Sequence, residues 1–156
     1  MQITLIAVGR KAPAWIKEGF ETYRKRIRSP FSFKLIEVEA VRRNKSISTQ
    51  KLLALEAERI RSVLPHSARV IALAEQGKDF STRDLADRIR GWMRQGQAVA
   101  LLIGGADGID RTLLKEAGET WSLSRLTLPH ALARVLLAEQ IYRACSILQN
   151  HPYHRE

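Results

Sequence analysis

The sequence predicts an α/β protein with three layers, in which helices cover both faces of a mostly parallel five-stranded sheet. Short runs of apolar residues alternate along the chain with longer segments whose apolar residues recur at helical spacing. One run, residues 98–103, is almost wholly apolar, which is typical of a strand buried on both faces of a parallel sheet. The chain has 156 residues, 45% of them hydrophobic, so we expect a single domain spanning residues 1–156.

The first half of the chain is predicted to form two strand–helix units. The first strand contains Ile3, Leu5, Ile6, Ala7 and Val8. Pro13 opens a helix with an apolar stripe, formed by Ile16, Phe20, Tyr23 and Ile27. Residues 33–39 are predicted as the second strand and lead into a basic loop, residues 42–45. The helix that follows has the apolar face Leu52, Leu53, Ile60, Val63 and Leu64.

The second half is predicted to contain three more strands and three more helices. We expect residues 69–74 to form the third strand and Gly77 to break it. Ser81 and Asp84 then form an N-terminal cap for a helix that buries Leu85, Ile89 and Trp92. After the strand at residues 98–103, a short helix runs through Leu113 and Leu114. A fifth strand ends at Leu128, and residues 131–150 form the last and longest helix.

The charge of the chain favours a polyanionic partner. There are 26 basic and 16 acidic residues, a net charge of +10. Residues 1–61 alone carry 14 basic and six acidic residues, with basic clusters at residues 24–28 and 42–45. Each phosphate that such cations neutralise releases counterions, so nucleic acid is the favoured partner over a merely solvated surface.

Composition excludes several classes of protein. No apolar run approaches the roughly 18–20 residues that span a bilayer, and the start resembles a strand rather than a signal peptide, so we expect a cytoplasmic protein without a membrane partner. The single cysteine, Cys145, lies on an apolar helical stripe and is interpreted as a buried hydrophobic residue. His151 and His154 lack a third ligand nearby, so no metal site is expected.

Ligands of open α/β sheets bind outside the carboxyl ends of the strands, so the loops there were searched for motifs. The chain contains neither a dinucleotide fingerprint after its first strand nor a phosphate-binding GxxxxGK[ST] motif. A glycine-rich turn, residues 104–108, follows the fourth predicted strand. Glycine there permits close approach of a ligand, but an ordinary tight turn explains the motif equally well.

Three separated segments carry a more specific signal. They are the strand and glycine turn at residues 101–108, the segment 121–130, and the C-terminal residues 151–156. Together, in this order and at these distances from the ends, they closely resemble the small SPOUT-class RNA methyltransferases. The resemblance extends over essentially the whole chain. It implies S-adenosylmethionine-dependent methylation of N3 of a pseudouridine in large-subunit (23S) ribosomal RNA.

The resemblance also implies where the cofactor binds. S-adenosylmethionine is expected to contact, largely through backbone groups, Leu73, Gly104, Leu123, Ser124, Arg125, Leu126, Thr127 and Leu128. A C-terminal trefoil knot, in which the end of the chain threads through a loop to complete the cofactor pocket, is a further expectation. A homodimer is implied as well, with the tail of one subunit completing the pocket of the other.

The candidate catalytic residues are Tyr153, His154, Arg155 and Glu139. The first three offer a stacking ring, a titratable imidazole and a cationic fork for an oxyanion or phosphate. Glu139 is a candidate base or an orienter of the tail, and equally a helix-surface carboxylate paired with Arg143. For His130 a capping or indirect role is favoured over direct catalysis.

Three alternatives remain open at the level of sequence. The chain could be a basic RNA-binding module without catalysis, a methyltransferase of the same class that acts on another RNA, or a flavodoxin-like or phosphate-binding α/β protein. A chain this small, with no separate RNA-binding domain, is expected to recognise a preformed substrate such as the assembled ribosome.

Overall fold

The computed structural model describes residues 1–154 and confirms the predicted alternation of strands and helices. The strands are β1 (Gln2–Val8), β2 (Ser32–Val38), β3 (Arg69–Asp79), β4 (Val99–Ile103) and β5 (Glu119–Ser122). The helices are α1 (Ala14–Arg24), α2 (Thr49–Val63), α3 (Thr82–Arg94), α4 (Arg111–Glu116), α5 (His130–Leu148) and a 3-10 turn (Pro152–His154).

All strand pairs are parallel, in the order β2-β1-β4-β3-β5. Ile3 of β1 pairs with Phe33 of β2 on one side and with Val99 of β4 on the other. Because every strand runs in the same direction, the loops that leave the strands share one edge of the sheet, called here the carboxyl edge. The opposite edge, where the strands begin, is the amino edge.

The sheet separates two apolar layers. On one face, α1, α3 and α5 bury residues such as Phe20, Ile89 and Ile141. On the other face, α2 and α4 contribute Ile60 and Leu113 to a smaller cluster. The residues of β4 alternate between the two clusters, which explains why this strand is apolar throughout. The predicted three-layer α/β fold is confirmed.

The capping motif predicted for α3 is confirmed. The Oγ atom of Ser81 accepts a hydrogen bond from the backbone N–H of Asp84 over 3.1 Å. In return, Oδ2 of Asp84 accepts one from the backbone N–H of Ser81 over 2.8 Å. This reciprocal capping box satisfies two backbone donors and fixes where α3 begins.

The prediction that Gly77 breaks the third strand is wrong. β3 continues to Asp79, with a register shift between Leu73 and Lys78 where it pairs with β5. A Cβ atom on Gly77 would lie 2.3 Å from the backbone carbon of Trp121. Glycine is therefore needed here for the close approach of two strands. Because of the shift in register, residues 74–77 have no paired residue in β5.

The predicted end of the fifth strand at Leu128 is also wrong, because β5 ends at Ser122. The hydroxyl of Ser122 donates to the backbone carbonyl of Ser124 over 2.9 Å, and Oγ of Ser124 accepts from the backbone N–H of Leu126 over 2.9 Å. These local bonds replace strand pairing with a turn. Residues 123–129 form a loop along the carboxyl edge.

Helix α5 packs between α1 and α3. A Cβ atom on Gly19 of α1 would lie 3.2 Å from the Cγ1 atom of Val135, and Thr82 of α3 donates to the side chain of Gln140 over 2.6 Å. Much of the wide apolar surface of α5 thus faces helices of the same chain. Cys145 is buried, as predicted. No helix in residues 1–154 has the length and apolar character needed to cross a membrane.

Candidate functional site

A cleft of about 510 Å³ lies at the carboxyl edge of β3, β4 and β5. Its wall consists of three stretches that are far apart in sequence. They are residues 73–76 at the register shift of β3, residues 103–109 in the glycine turn, and residues 122–130 without Arg125. Leu114 and Ala133 complete the lining. The strand order brings these stretches together, as expected for a ligand site of a parallel sheet.

Seven of the eight residues predicted to contact a cofactor line this cleft. They are Leu73, Gly104, Leu123, Ser124, Leu126, Thr127 and Leu128. The eighth, Arg125, does not line the cleft. Its side chain is 91% exposed and pairs with Asp79 over 3.2 Å. The guanidinium of Arg125 therefore lies on the outer surface of the loop.

The glycine turn has little room for side chains. A Cβ atom on Gly104 would lie 2.2 Å from the backbone oxygen of Gly108. Gly108 adopts a positive φ of 86° and donates its backbone N–H to the carbonyl of Gly105 over 3.1 Å. The turn then leads into α4, whose N-terminus is capped by Asp110. The turn therefore offers a peptide surface rather than side chains to a ligand in the cleft.

Five polar residues that line the cleft are not among the predicted cofactor contacts: Glu75, Gln76, Asp107, Ser122 and His130. Glu75 and Gln76 line it because of the register shift in β3. His130, at the first position of α5, lines it as well. Burial and the nearby Arg134 guanidinium lower the pKa of His130. Gly77 is a sequence signal that two strands approach each other closely at this point. A glycine alone does not show that the preceding residues, Glu75 and Gln76, face a cleft.

Arg134 is a buried cation that sequence reasoning missed. Its side chain is only 3% exposed and pairs with Glu37 of β2 over 2.9 Å. It also donates to the backbone carbonyls of Val8 and Gly9 over 2.9 and 2.8 Å. These bonds tie the first turn of α5 to the carboxyl ends of β1 and β2, and thereby fix His130 beside the cleft.

The basic loop after β2 is attached to the glycine turn. Arg43 forms an ion pair with Asp107. The backbone N–H of Val41 donates over 3.0 Å to Glu56, a carboxylate of α2 that is 5% exposed and lies close to Gly105. Burial raises the pKa of Glu56, the bond from Val41 opposes that shift, and the charge of Asp107 adds to it.

Tyr153 of the tail and Glu139 of α5 form a second cluster, together with Arg143. Tyr153 donates its hydroxyl to Oε1 of Glu139 over 3.1 Å, and the same oxygen accepts from Nε of Arg143 over 2.9 Å. The ring of Tyr153 packs against Tyr142 with centroids 4.5 Å apart. Burial, followed by the charge and hydrogen bond of Glu139, raises the pKa of Tyr153 to about 12.

Glu139 forms the predicted pair with Arg143 and also contacts the tail. The i,i+4 pair with Arg143 is present at 2.7 Å, and the carboxylate also holds Tyr153 of the tail. Its other oxygen accepts from the side-chain amide of Gln140 over 2.6 Å. Among residues 1–154, three side chains therefore orient this one carboxylate.

The tail cluster and the cleft are separate within one chain. Neither Glu139, Tyr153 nor His154 lines the cleft. Glu139 lies nine residues beyond His130, which corresponds to about 13 Å along the axis of α5. His154 instead borders an open hollow of about 750 Å³ between α3 and α5, beside Arg143. Arg155, the remaining candidate, lies outside the described residues.

Residues 1–154 contain no group of three or more His, Cys, Asp or Glu side chains arranged to hold a metal ion.

Comparisons with known proteins agree with this architecture. The family model described as "Predicted SPOUT methyltransferase" matches residues 1–154. A protein of Ralstonia nicotianae named "Ribosomal RNA large subunit methyltransferase H" is 50% identical over 155 residues, covering 99% of both chains. A protein of the same name from Hydrogenovibrio crunogenus is 47% identical over 156 residues, covering 100% of both chains.

Two solved structures share the fold at low sequence identity. A probable methyltransferase from Bordetella pertussis Tohama I has a TM-score of 0.60 and 15% identity, over 91% of this chain and 95% of that chain. A probable methylase family protein from Haemophilus influenzae Rd KW20 has a TM-score of 0.58 and 14% identity, over 99% of this chain and 70% of that chain. The full-length match to the family model and the identity to the named relatives show that this chain belongs to the SPOUT methyltransferase family.

Proposed function

We propose that this chain transfers a methyl group from S-adenosylmethionine to N3 of a pseudouridine in 23S ribosomal RNA, on the assembled ribosome in the cytoplasm. The observation that carries the proposal is the cleft, whose lining includes seven of the eight residues that the resemblance assigns to the cofactor. The names of the relatives support ribosomal RNA as the substrate. The net charge of +10 is consistent with a nucleic-acid substrate.

The cleft fits S-adenosylmethionine in its chemistry. Peptide groups of the glycine turn and of residues 123–128 can pair with an adenine edge, and the apolar side chains of Leu73, Ile103 and Leu128 suit its faces. Glu75 adds a carboxylate that can accept hydrogen bonds from hydroxyl or ammonium groups. When bound, S-adenosylmethionine supplies an electrophilic methyl group on a sulfonium.

The separation of tail and cleft supports a shared site between two copies. Glu139 and Tyr153 lie away from the cleft of their own chain. We propose that a partner copy brings its own Tyr153, held by Glu139 of its α5, to this cleft. Trp15 of α1 and Leu132 of α5 are 61% and 37% exposed at the ends of two neighbouring helices that start at the carboxyl edge. We propose that this apolar end of the α1–α5 pair forms part of a symmetric homodimer contact.

The protein must position the pseudouridine and accept its N3 proton. Tyr153 stays protonated at neutral pH because its pKa is about 12, so its ring and hydroxyl serve to position rather than to act as a base. Glu139 holds Tyr153 and Arg143 and therefore orients the tail. We propose that the imidazole of His154 accepts the N3 proton and that Arg155 stabilises the negative charge left on the imide.

The test is transfer of a labelled methyl group from S-adenosylmethionine to assembled ribosomes that lack the modification, followed by mass mapping of the nucleoside. Label at N3 of a large-subunit pseudouridine is the expected result. Cofactor binding without transfer to ribosomes would point to another RNA as substrate. A chain that binds RNA but no S-adenosylmethionine would be a non-catalytic RNA-binding module.

A further inference from the structure

Two sets of three exposed cations lie at opposite edges of the sheet. At the carboxyl edge, Arg10 follows β1, and Arg42 and Lys45 follow β2. At the amino edge, Lys25 and Arg28 follow α1, and Arg94 ends α3. All six residues are exposed, and none forms an ion pair among residues 1–154. The two groups have the same composition, two arginines and one lysine.

Only the carboxyl-edge group adjoins the cleft. The loops leave this edge in the strand order β2, β1, β4, β3, β5, and the cleft occupies the last three positions. Residues 9–13 and 39–48 occupy the first two positions, next to the glycine turn that follows β4. These two loops together contain five basic residues and one acidic residue, Glu39. A positively charged shelf therefore borders one side of the cleft.

The shelf is held in place by contacts inside the chain. The backbone N–H of Gly9 donates to the carbonyl of Val38 over 2.7 Å, which joins the two loops at their bases. Arg43 pairs with Asp107 of the glycine turn, and Val41 is bonded to the buried Glu56. Arg43 thus helps to attach the loop. Arg10, Arg42 and Lys45, by contrast, form no ion pair within residues 1–154. Cations fixed in this way can bind phosphates without first losing an internal partner.

We propose that Arg10, Arg42 and Lys45 bind the phosphate backbone of the substrate RNA beside the cleft, and that the amino-edge cations do not. The inference rests on the proposed function, because it takes RNA to be the substrate. Phosphates held on the shelf position the RNA strand so that one nucleotide reaches the cleft across the glycine turn.

Two matched triple variants test the assignment. Arg10→Gln/Arg42→Gln/Lys45→Gln removes three of the five shelf charges and leaves Lys11 and Arg43 in place. Lys25→Gln/Arg28→Gln/Arg94→Gln removes the same number and kind of charges at the amino edge. Steady-state methylation of assembled ribosomes is measured for both at several salt concentrations. Thermal unfolding and the affinity for S-adenosylhomocysteine are measured alongside, because neither should change if the lost groups only bind RNA.

The shelf variant is expected to raise KM for ribosomes by about tenfold or more, with kcat within about twofold. The slope of the logarithm of the binding constant against the logarithm of the salt concentration should become shallower by about two. Each missing phosphate contact removes roughly 0.7–0.9 from that slope. The amino-edge variant should keep KM within about twofold of the wild-type value. Equal effects of the two variants, or a larger effect of the amino-edge variant, would overturn the proposal.

Failure of the proposed function shows itself differently. In that case the wild-type chain transfers no methyl group to ribosomes, whereas failure of the shelf assignment leaves wild-type transfer intact. Filter binding of both variants to 23S ribosomal RNA then still decides the assignment. Weaker binding of the shelf variant alone supports it, and any other order of affinities rejects it.

Discussion

Tyr153 donates its hydroxyl to Glu139 across 3.1 Å, so the end of the chain is fastened to a helix that begins at the cleft. The bond joins two residues that the sequence had placed together only as candidates for catalysis. Arg143 strengthens the link, because it pairs with Glu139 and also lies 4.9 Å from the centre of the Tyr153 ring. The tail is therefore ordered by α5 up to residue 154.

Removal of residues 153–156 is expected to abolish methyl transfer and to leave the affinity for S-adenosylmethionine within about twofold. The physical reason is that none of the described tail residues lines the cleft of its own chain. Isothermal titration of the cofactor and a methyl-transfer assay measure the two effects separately. Equal loss of both would place the tail in the cofactor pocket. Tyr153→Phe, which keeps the ring, serves as the milder control.

The ionisation of Tyr153 is expected near pH 12. Burial and the neighbouring carboxylate of Glu139 both oppose formation of the phenolate, which raises the pKa to about 12. The difference in ultraviolet absorbance between the wild type and Tyr153→Phe isolates this group during an alkaline titration. In Glu139→Gln the pKa should fall, because a negative charge next to the phenol is removed. A midpoint near pH 10 in the wild type would contradict the packing described here.

Arg134→Met is expected to lower the free energy of unfolding by about 3–5 kcal/mol. The substitution leaves Glu37 without its cation and two backbone carbonyls without their donor. Urea denaturation measures the change. Arg125→Met is the matched control, because its ion pair with Asp79 is largely exposed and should contribute less than about 1 kcal/mol. Similar losses of unfolding free energy in the two variants would show that the buried network of Arg134 stabilises the protein no more than an exposed ion pair does.

Glu56→Gln is expected to make the protein more stable at neutral pH. Burial raises the pKa of Glu56 above its ordinary value of 4.5, so the stability that it contributes is fully present below pH 4.5 and is lost as pH rises through the higher folded-state value. Glutamine keeps an oxygen for the Val41 N–H without carrying a buried charge. Unfolding free energies between pH 4 and 8 should show the advantage of the variant growing with pH. An advantage that shrinks as pH rises would oppose this account.

Gly104→Ala is expected to weaken cofactor binding and to destabilise the protein by about 1–3 kcal/mol. Its Cβ atom would lie 2.2 Å from the backbone oxygen of Gly108, so the turn has to move. Gly91→Ala is the control, since a Cβ atom there meets nothing within 4 Å inside helix α3. That change should stabilise the protein by about 0.5–1 kcal/mol. Cofactor titration and thermal unfolding separate the two variants.

Local patterns in the sequence predicted most of the fold, and the failures have physical causes. The apolar run of β4 was recognisable because both of its faces are buried. In the loop, residues 125–128 alternate polar and apolar side chains as a strand does, and the hydrogen bonds of Ser122 and Ser124 show that the segment is a turn instead. Gly77 was interpreted as a break because the approach of Trp121 is a contact between distant segments.

The candidate site was predictable from resemblance more than from residue chemistry. The glycine turn and the loop that line the cleft present largely backbone groups. Contacts through backbone groups do not require particular side chains, so the residue types there do not reveal the site. Arg134 escaped detection because an arginine between apolar helical residues is usually a surface residue that borders a core. Its partners, Glu37 and the carbonyl of Val8, are about a hundred residues or more away along the chain.

The residues that line the cleft are spread between positions 73 and 133, so the cleft exists only where distant segments of the chain are packed together. The cleft is complete only when β5 is paired with β3 and Arg134 of α5 is hydrogen-bonded to the carboxyl end of β1. A molecule that occupies the cleft consequently binds the finished tertiary structure and not its parts, and it shifts the unfolding equilibrium of the whole chain by mass action. The rise in melting temperature with ligand concentration then measures, without a label, how fully the ligand occupies the cleft in each variant.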